Sequence, residues 1–84
     1  MKFAKWLEVF IEEKGYENEV FNFEMQGQFH MVEMDFLVEF LKGIDGENQR
    51  KIKDMLVKID FMNGNVKDFL LHCAKGYVHA TYCN

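Results

Sequence analysis

Proline is absent from this chain, so its punctuation falls to six glycines, and no Pro-rich linker or low-complexity segment interrupts it. Cysteine is scarce at two residues, which excludes a disulfide-stapled framework and fits a reducing compartment. No apolar run approaches the roughly eighteen residues that a membrane-spanning helix needs. The opening MKFAKWLEVFIEEKG carries Lys2 and Lys5, but Glu8, Glu12 and Glu13 break its apolar part, so it does not read as a secretory signal. There is no Gly-rich phosphate loop and no Walker pattern. These absences together give the expectation of an intracellular, cytoplasmic protein.

What is present is hydrophobic and aromatic. The chain has 84 residues, 49% of them hydrophobic and 29% charged, with nine Phe, three Tyr and one Trp. That length gives one domain, residues 1–84, and the composition is that of a folded chain. A domain of this size buries only about 60–65% of its unfolded surface, so its stability margin is thin and large rings matter to its core. Charge is unevenly spread. Residues 1–47 hold four Lys against eleven Asp and Glu, net −7; residues 48–84 hold six Lys and Arg against three Asp, net +3. A charge run is commonly a solvated face; read more sharply, the acidic half meets a basic surface on a partner.

Phe3, Trp6, Leu7, Phe10 and Ile11 follow the spacing of one helix face, and Gly15 ends that helix. Phe21, Phe23 and Met25 alternate with Asn22 and Glu24, and Phe29 and Met31 alternate with Gln28 and His30 around a Gln26-Gly27 turn. This period predicts a β-hairpin, 19–25 and 28–32, with its apolar side laid on helices. Met34, Leu37, Val38 and Leu41 then make a helical stripe, with Phe36 and Phe40 as a second stripe beside it and Gly43 at the end. Those two Phe residues exceed what one small core face can take, and at least one is expected in a dimer or partner contact.

The stretch VKIDFMNGNVKDFLLHC is ambiguous. Val57, Ile59 and Phe61 alternate as a strand would before an Asn63-Gly64 turn. However, Val66, Phe69, Leu70, Cys73, Ala74 and Tyr77 keep helical spacing after it, and Asn65 with Asp68 resembles a capping box. The favoured reading is a helical hairpin, 46–62 and 66–75, capped by Asp45 and turned by Asn63-Gly64; a third strand at 57–61 is the alternative. Residues 76–84 read as a frayed or extended tail. The predicted fold is α+β, in the order α-β-β-α-α-α, with helices on one face of a two-stranded antiparallel hairpin.

Few residues carry chemistry. His72, Cys73, His79 and Cys83 are zinc-ligand types, but their spacing matches no paired-knuckle pattern, and Cys73 lies on an apolar stripe; core and tail roles are favoured. Adjacent His72 and Cys73 diverge by about 100° on a helix and cannot act as a base–nucleophile pair. No catalytic constellation, cofactor or metal is therefore expected. Arg50, Lys51, Lys53 and Lys58 give the third helix a basic side, but a pI near 5.3 argues against a nucleic-acid footprint.

WLEVFIEEKG and LVKIDFMNGNVKDFLLH resemble a group of small, uncharacterised accessory proteins of phages and prophages of Gram-positive bacteria. Those open with a Trp-Leu helix ending in Lys-Gly and carry an Ile-Asp-Phe-x-Asn-Gly turn before a Phe-rich last helix. The resemblance covers most of the chain and transfers no functional residue. It implies an accessory protein working in the host bacterial cytoplasm, of the kind that inhibits host defence, anti-CRISPR proteins included.

The resulting expectation is a non-enzymatic protein that binds a host protein, such as a defence nuclease, through an acidic face: Glu8, Glu12, Glu13, Glu17, Glu19, Glu24 and Glu33, with Phe36 and Phe40 as apolar contacts. Two alternatives remain: a phage nucleic-acid accessory factor using the basic third helix, and a homodimeric module that buries surplus Phe residues between subunits.

Overall fold

The stripe from Phe3 to Ile11 folds as α1 (Phe3–Lys14) in a computed structural model that describes residues 2–82. Leu7 and Ile11 are its buried residues. Gly15, at φ 73°, ends the helix. Its N–H donates to the Glu12 carbonyl and that of Tyr16 to the Ile11 carbonyl, both at 3.0 Å. This paired arrangement, with a left-handed residue just past the last turn, satisfies carbonyls the helix leaves open.

The hairpin comprises β1 (Val20–Met25) and β2 (Gln28–Glu33). Its turn residues Gln26 and Gly27 have φ of 54° and 77°, the left-handed pair that a tight two-residue connection requires. That connection fixes the register: Met25 opposite Gln28, Phe23 opposite His30, Phe21 opposite Val32. Directly opposed residues share a face. Phe21, Phe23 and Val32 therefore turn inward and are buried. Phe29 and Met31 lie opposite Glu24 and Asn22 on the outer face, each 67% exposed. The alternation read for β2 is thus real, but its apolar side is reversed, because the turn leaves inner Phe23 only an even-numbered partner.

The chain passes straight from Glu33 into α2 (Met34–Lys42). The Met34 N–H donates to the Glu19 carbonyl at 2.9 Å, extending the ladder into the first helical residue. Met34, Leu37 and Leu41 are buried. α3 (Gly46–Phe61) starts at Asp45, whose side chain accepts from the Asn48 N–H at 2.9 Å. The strand alternative for 57–61 is excluded, since those residues complete α3. Asn63 (φ 56°) donates to the Asp60 carbonyl at 3.1 Å and Gly64 to the Ile59 carbonyl at 2.8 Å, repeating the closure of α1. The Asn65 side chain then caps α4 by accepting from the Asp68 N–H at 3.0 Å.

α4 (Val66–Tyr82) is longer than the 66–75 expected. Val66, Leu70, Ala74 and Val78 keep one buried stripe running past Gly76. Residues 76–82 are therefore helix, not a tail, and Cys83 lies outside the described residues. The helices pack on the inner face of the hairpin, with α2 beside β2 and α4 beneath β1. Leu7, Leu37, Leu56 and Leu70 are fully buried where these layers meet. Among the described residues no helix is long and apolar enough to cross a membrane.

Candidate functional site

α1 and α2 pack against each other, with Leu7, Ile11, Met34, Leu37 and Leu41 in the common core, and their polar sides rise along the seam. Glu8 and Glu12 are one turn apart on α1; Asp35 and Glu39 are one turn apart on α2. Between them runs a groove of about 310 Å³, floored by Ile11, Met34 and Val38 and lined by Glu8, Glu12, Glu17, Asp35, Glu39 and Lys42. A second cleft of about 230 Å³ shares Glu17, Met34 and Asp35 with it and adds Asn18, Glu19, Val20 and Glu33. The two make one acidic trough, from the α1–α2 seam to the base of the hairpin.

Its internal pairing is limited. Lys42 Nζ donates to Glu8 Oε2 at 2.5 Å and to Glu39 Oε2 at 3.0 Å. The hydrogen bond from Lys42, then its charge, holds the Glu8 carboxyl below the usual carboxylate range. The hydrogen bonds to Glu8 and then Glu39 raise the Lys42 ammonium above the ordinary lysine range. At the other end Lys67 lies 3.0 Å from Glu19 and its ammonium sits 5.1 Å over the Tyr16 ring. Among the described residues, Glu12, Glu17, Glu33 and Asp35 have no ion pair. The trough therefore keeps a net negative field with its one lining cation already held on both sides.

Of the expected acidic face, the structure gathers Glu8, Glu12, Glu17, Glu19 and Glu33 into this trough. Glu13 lies on an exposed side of α1, about 100° around from Glu12, and Glu24 stands on the outer face of the hairpin. Asp35 and Glu39 line the trough although the sequence reading passed over them. Their four-residue spacing beside the Met34, Leu37 and Leu41 stripe was the signal. Phe36 and Phe40 belong to other surfaces. Phe36 is 57% exposed. Phe40 is half-buried and meets the Tyr77 ring edge-on at 5.2 Å, against a cleft that also includes Ile52, Phe69 and Cys73.

The zinc-type residues do not converge: no group of three or more His, Cys, Asp or Glu placed to hold a metal ion occurs among the described residues. Burial pushes the Cys73 thiol up to about 11, as for a core thiol and not a nucleophile. The basic side of α3 is partly committed. Lys53 lies 5.3 Å over the Trp6 ring, Lys51 pairs with Glu47 at 3.5 Å, and neighbouring Asp60 pairs with Lys14. Comparison with protein-family models, with curated proteins and with solved structures finds no match to this chain.

Proposed function

We propose that this protein is a binding protein without catalytic activity, and that it engages a basic surface of a host protein along the trough between α1 and α2. The observation that carries this reading is the set of unpaired carboxylates, Glu12, Glu17, Glu33 and Asp35, held along a groove with an apolar floor. Helices and the hairpin base order the backbone that carries these groups, so only side-chain freedom is lost when a cation meets them.

A row of fixed carboxylates presents a basic channel with the charge pattern that a nucleic-acid backbone would offer. The resemblance to phage and prophage accessory proteins supports a target of that type, a host defence nuclease such as a CRISPR effector. A nucleic-acid-binding role for the protein itself is less well supported. The third helix spends Lys51 and Lys53 on internal contacts, and the chain is acidic overall.

The test is binding to a Lys/Arg-rich peptide as a minimal basic surface. The wild-type chain and Glu12→Gln/Glu17→Gln/Asp35→Asn are titrated at several salt concentrations. Binding that weakens as salt rises and is lost in the variant supports the proposal. Binding indifferent to the variant, or absent at low salt, overturns it.

A further inference from the structure

The outward edge of β2 carries backbone groups that the hairpin leaves unpaired, in apolar surroundings. The phase of the ladder follows from the Met34 N–H bond to the Glu19 carbonyl. In an antiparallel pair, hydrogen-bonded residues alternate with non-bonded ones. Stepping from Glu19 and Met34, the bonded pairs are Phe21 with Val32, Phe23 with His30 and Met25 with Gln28. The N–H and C=O groups of Phe29, Met31 and Glu33 therefore point away from β1, toward the free edge. A cleft of about 460 Å³ runs along that edge, since its lining takes consecutive β2 residues from Gln28 to Val32 together with Phe36 of α2 and Tyr77, Val78 and Tyr82 of α4.

This cleft contains a concentration of exposed apolar surface: Phe29, Met31 and Tyr82 are each 67% exposed and Phe36 is 57% exposed. An unpaired apolar edge recruits a strand. No Lys, Arg, Asp or Glu lines the cleft, so its occupant is not selected by charge. Unpaired backbone groups require an extended segment, and the walls require apolar side chains. β2 itself meets both conditions.

We infer that two copies associate through β2, antiparallel and about a two-fold axis at His30, into a continuous four-stranded sheet. In that register Phe29 of one copy faces Met31 of the other, and Met31 faces Phe29, each pair exchanging N–H and C=O in both directions. The ring and the thioether then pack directly on the outer face, while Phe36 and Tyr82 border the same edge from the helix side, where Tyr82 stacks on His30. The edge carboxylate Glu33 comes opposite Gly27 of the second copy, in a turn that carries no charge, and His30 meets its own counterpart on the axis. A standard interface takes about 800 Å² per partner, roughly one-seventh of the 5703 Å² that the chain exposes.

The test combines sedimentation equilibrium from micromolar to millimolar concentration with hydrogen exchange. A mass rising from the 10.0 kDa monomer toward twice that value is expected. With it, the amides of Phe29 and Met31 should become protected as concentration rises, while those of Asn22 and Glu24 on the opposite edge should not. Met31→Pro removes an edge donor without touching the hairpin ladder. It should weaken the dimer about a hundredfold, because a hydrogen bond worth roughly tenfold is lost twice across the axis. Met31→Lys should disrupt the dimer similarly and guards against a Pro variant that fails to fold. A monomer at all concentrations, or a dimer whose Phe29 and Met31 amides exchange freely, overturns the inference.

Discussion

Gly64→Ala isolates how α3 hands over to α4. A Cβ on residue 64 would sit 3.0 Å from Ile59 Cγ2 and 3.3 Å from the Ile59 carbonyl oxygen. The methyl can yield by turning off its rotamer, at about 0.5–1.5 kcal/mol. The carbonyl is less free, because it accepts from the Gly64 N–H at 2.8 Å. Lengthening that bond costs up to about 1 kcal/mol. Stiffening the unfolded chain returns roughly 0.4–1 kcal/mol, leaving a net loss of about 1 kcal/mol. For a domain of this size that lowers Tm by about 4–8 °C. Asn63→Gly, one residue earlier, should go the other way by about 0.5 kcal/mol, because Asn63 holds φ 56° and glycine carries no penalty there. Thermal and urea unfolding followed by far-UV circular dichroism measures both, at a concentration low enough to keep the chain monomeric. Opposite signs at adjacent positions are expected. A Gly64→Ala variant as stable as wild type, or an Asn63→Gly variant clearly less stable, would refute the closure described for α3.

The hairpin facing predicts unequal responses to losing a ring: Phe21→Ala should cost about 3–5 kcal/mol and Phe29→Thr no more than about 0.5 kcal/mol in urea unfolding of the monomer. Asp45→Ala, which removes the cap on α3, should cost about 1 kcal/mol. Because Lys42 holds the Glu8 pKa below its ordinary 4.5, that pair contributes stability above the unfolded value, and the contribution is lost as pH falls through the lower folded value. Lys42→Met should accordingly flatten this part of the acid limb in urea midpoints measured against pH. The Cys73 thiol, pushed up from 9.0 to about 11, should alkylate roughly a hundredfold more slowly than an unperturbed thiol at neutral pH, read site by site by mass spectrometry.

The helices were legible because their apolar stripes are regular. Leu7 with Ile11, Leu37 with Leu41, and Val66 through Ala74 each repeat at helical spacing with a cap residue at one end. Asn63-Gly64 was ambiguous only when read alone, since six residues after it kept helical period. The β2 facing was not legible from alternation, because apolar residues occupy both its odd and its even positions: Phe29 and Met31 on one, Val32 on the other. Turn length decided between them, and that requires the register to be carried across from Phe21 and Phe23. The last helix was expected to end at 75, with 76–84 as a tail, yet nothing lies within 4 Å of where a Cβ on Gly76 would be, and burial of Val78 carries α4 onward. The trough was half legible. An excess of acid in the first half of the sequence located Glu8, Glu12 and Glu17, but only helix packing could bring Asp35 and Glu39 across from them and leave Glu13 and Glu24 elsewhere.

The most direct measurement of the proposed function is the affinity of the trough for a Lys/Arg-rich peptide, taken by titration calorimetry across a salt series. The wild-type chain should bind, with log K falling as log salt rises, since exposed charges are screened within roughly 8–10 Å at physiological ionic strength. Glu12→Gln/Glu17→Gln/Asp35→Asn should abolish that binding while leaving the fold and the β2-edge self-association intact. Unchanged affinity in this variant, or an affinity in the wild type that ignores salt, would contradict a role for the acidic trough.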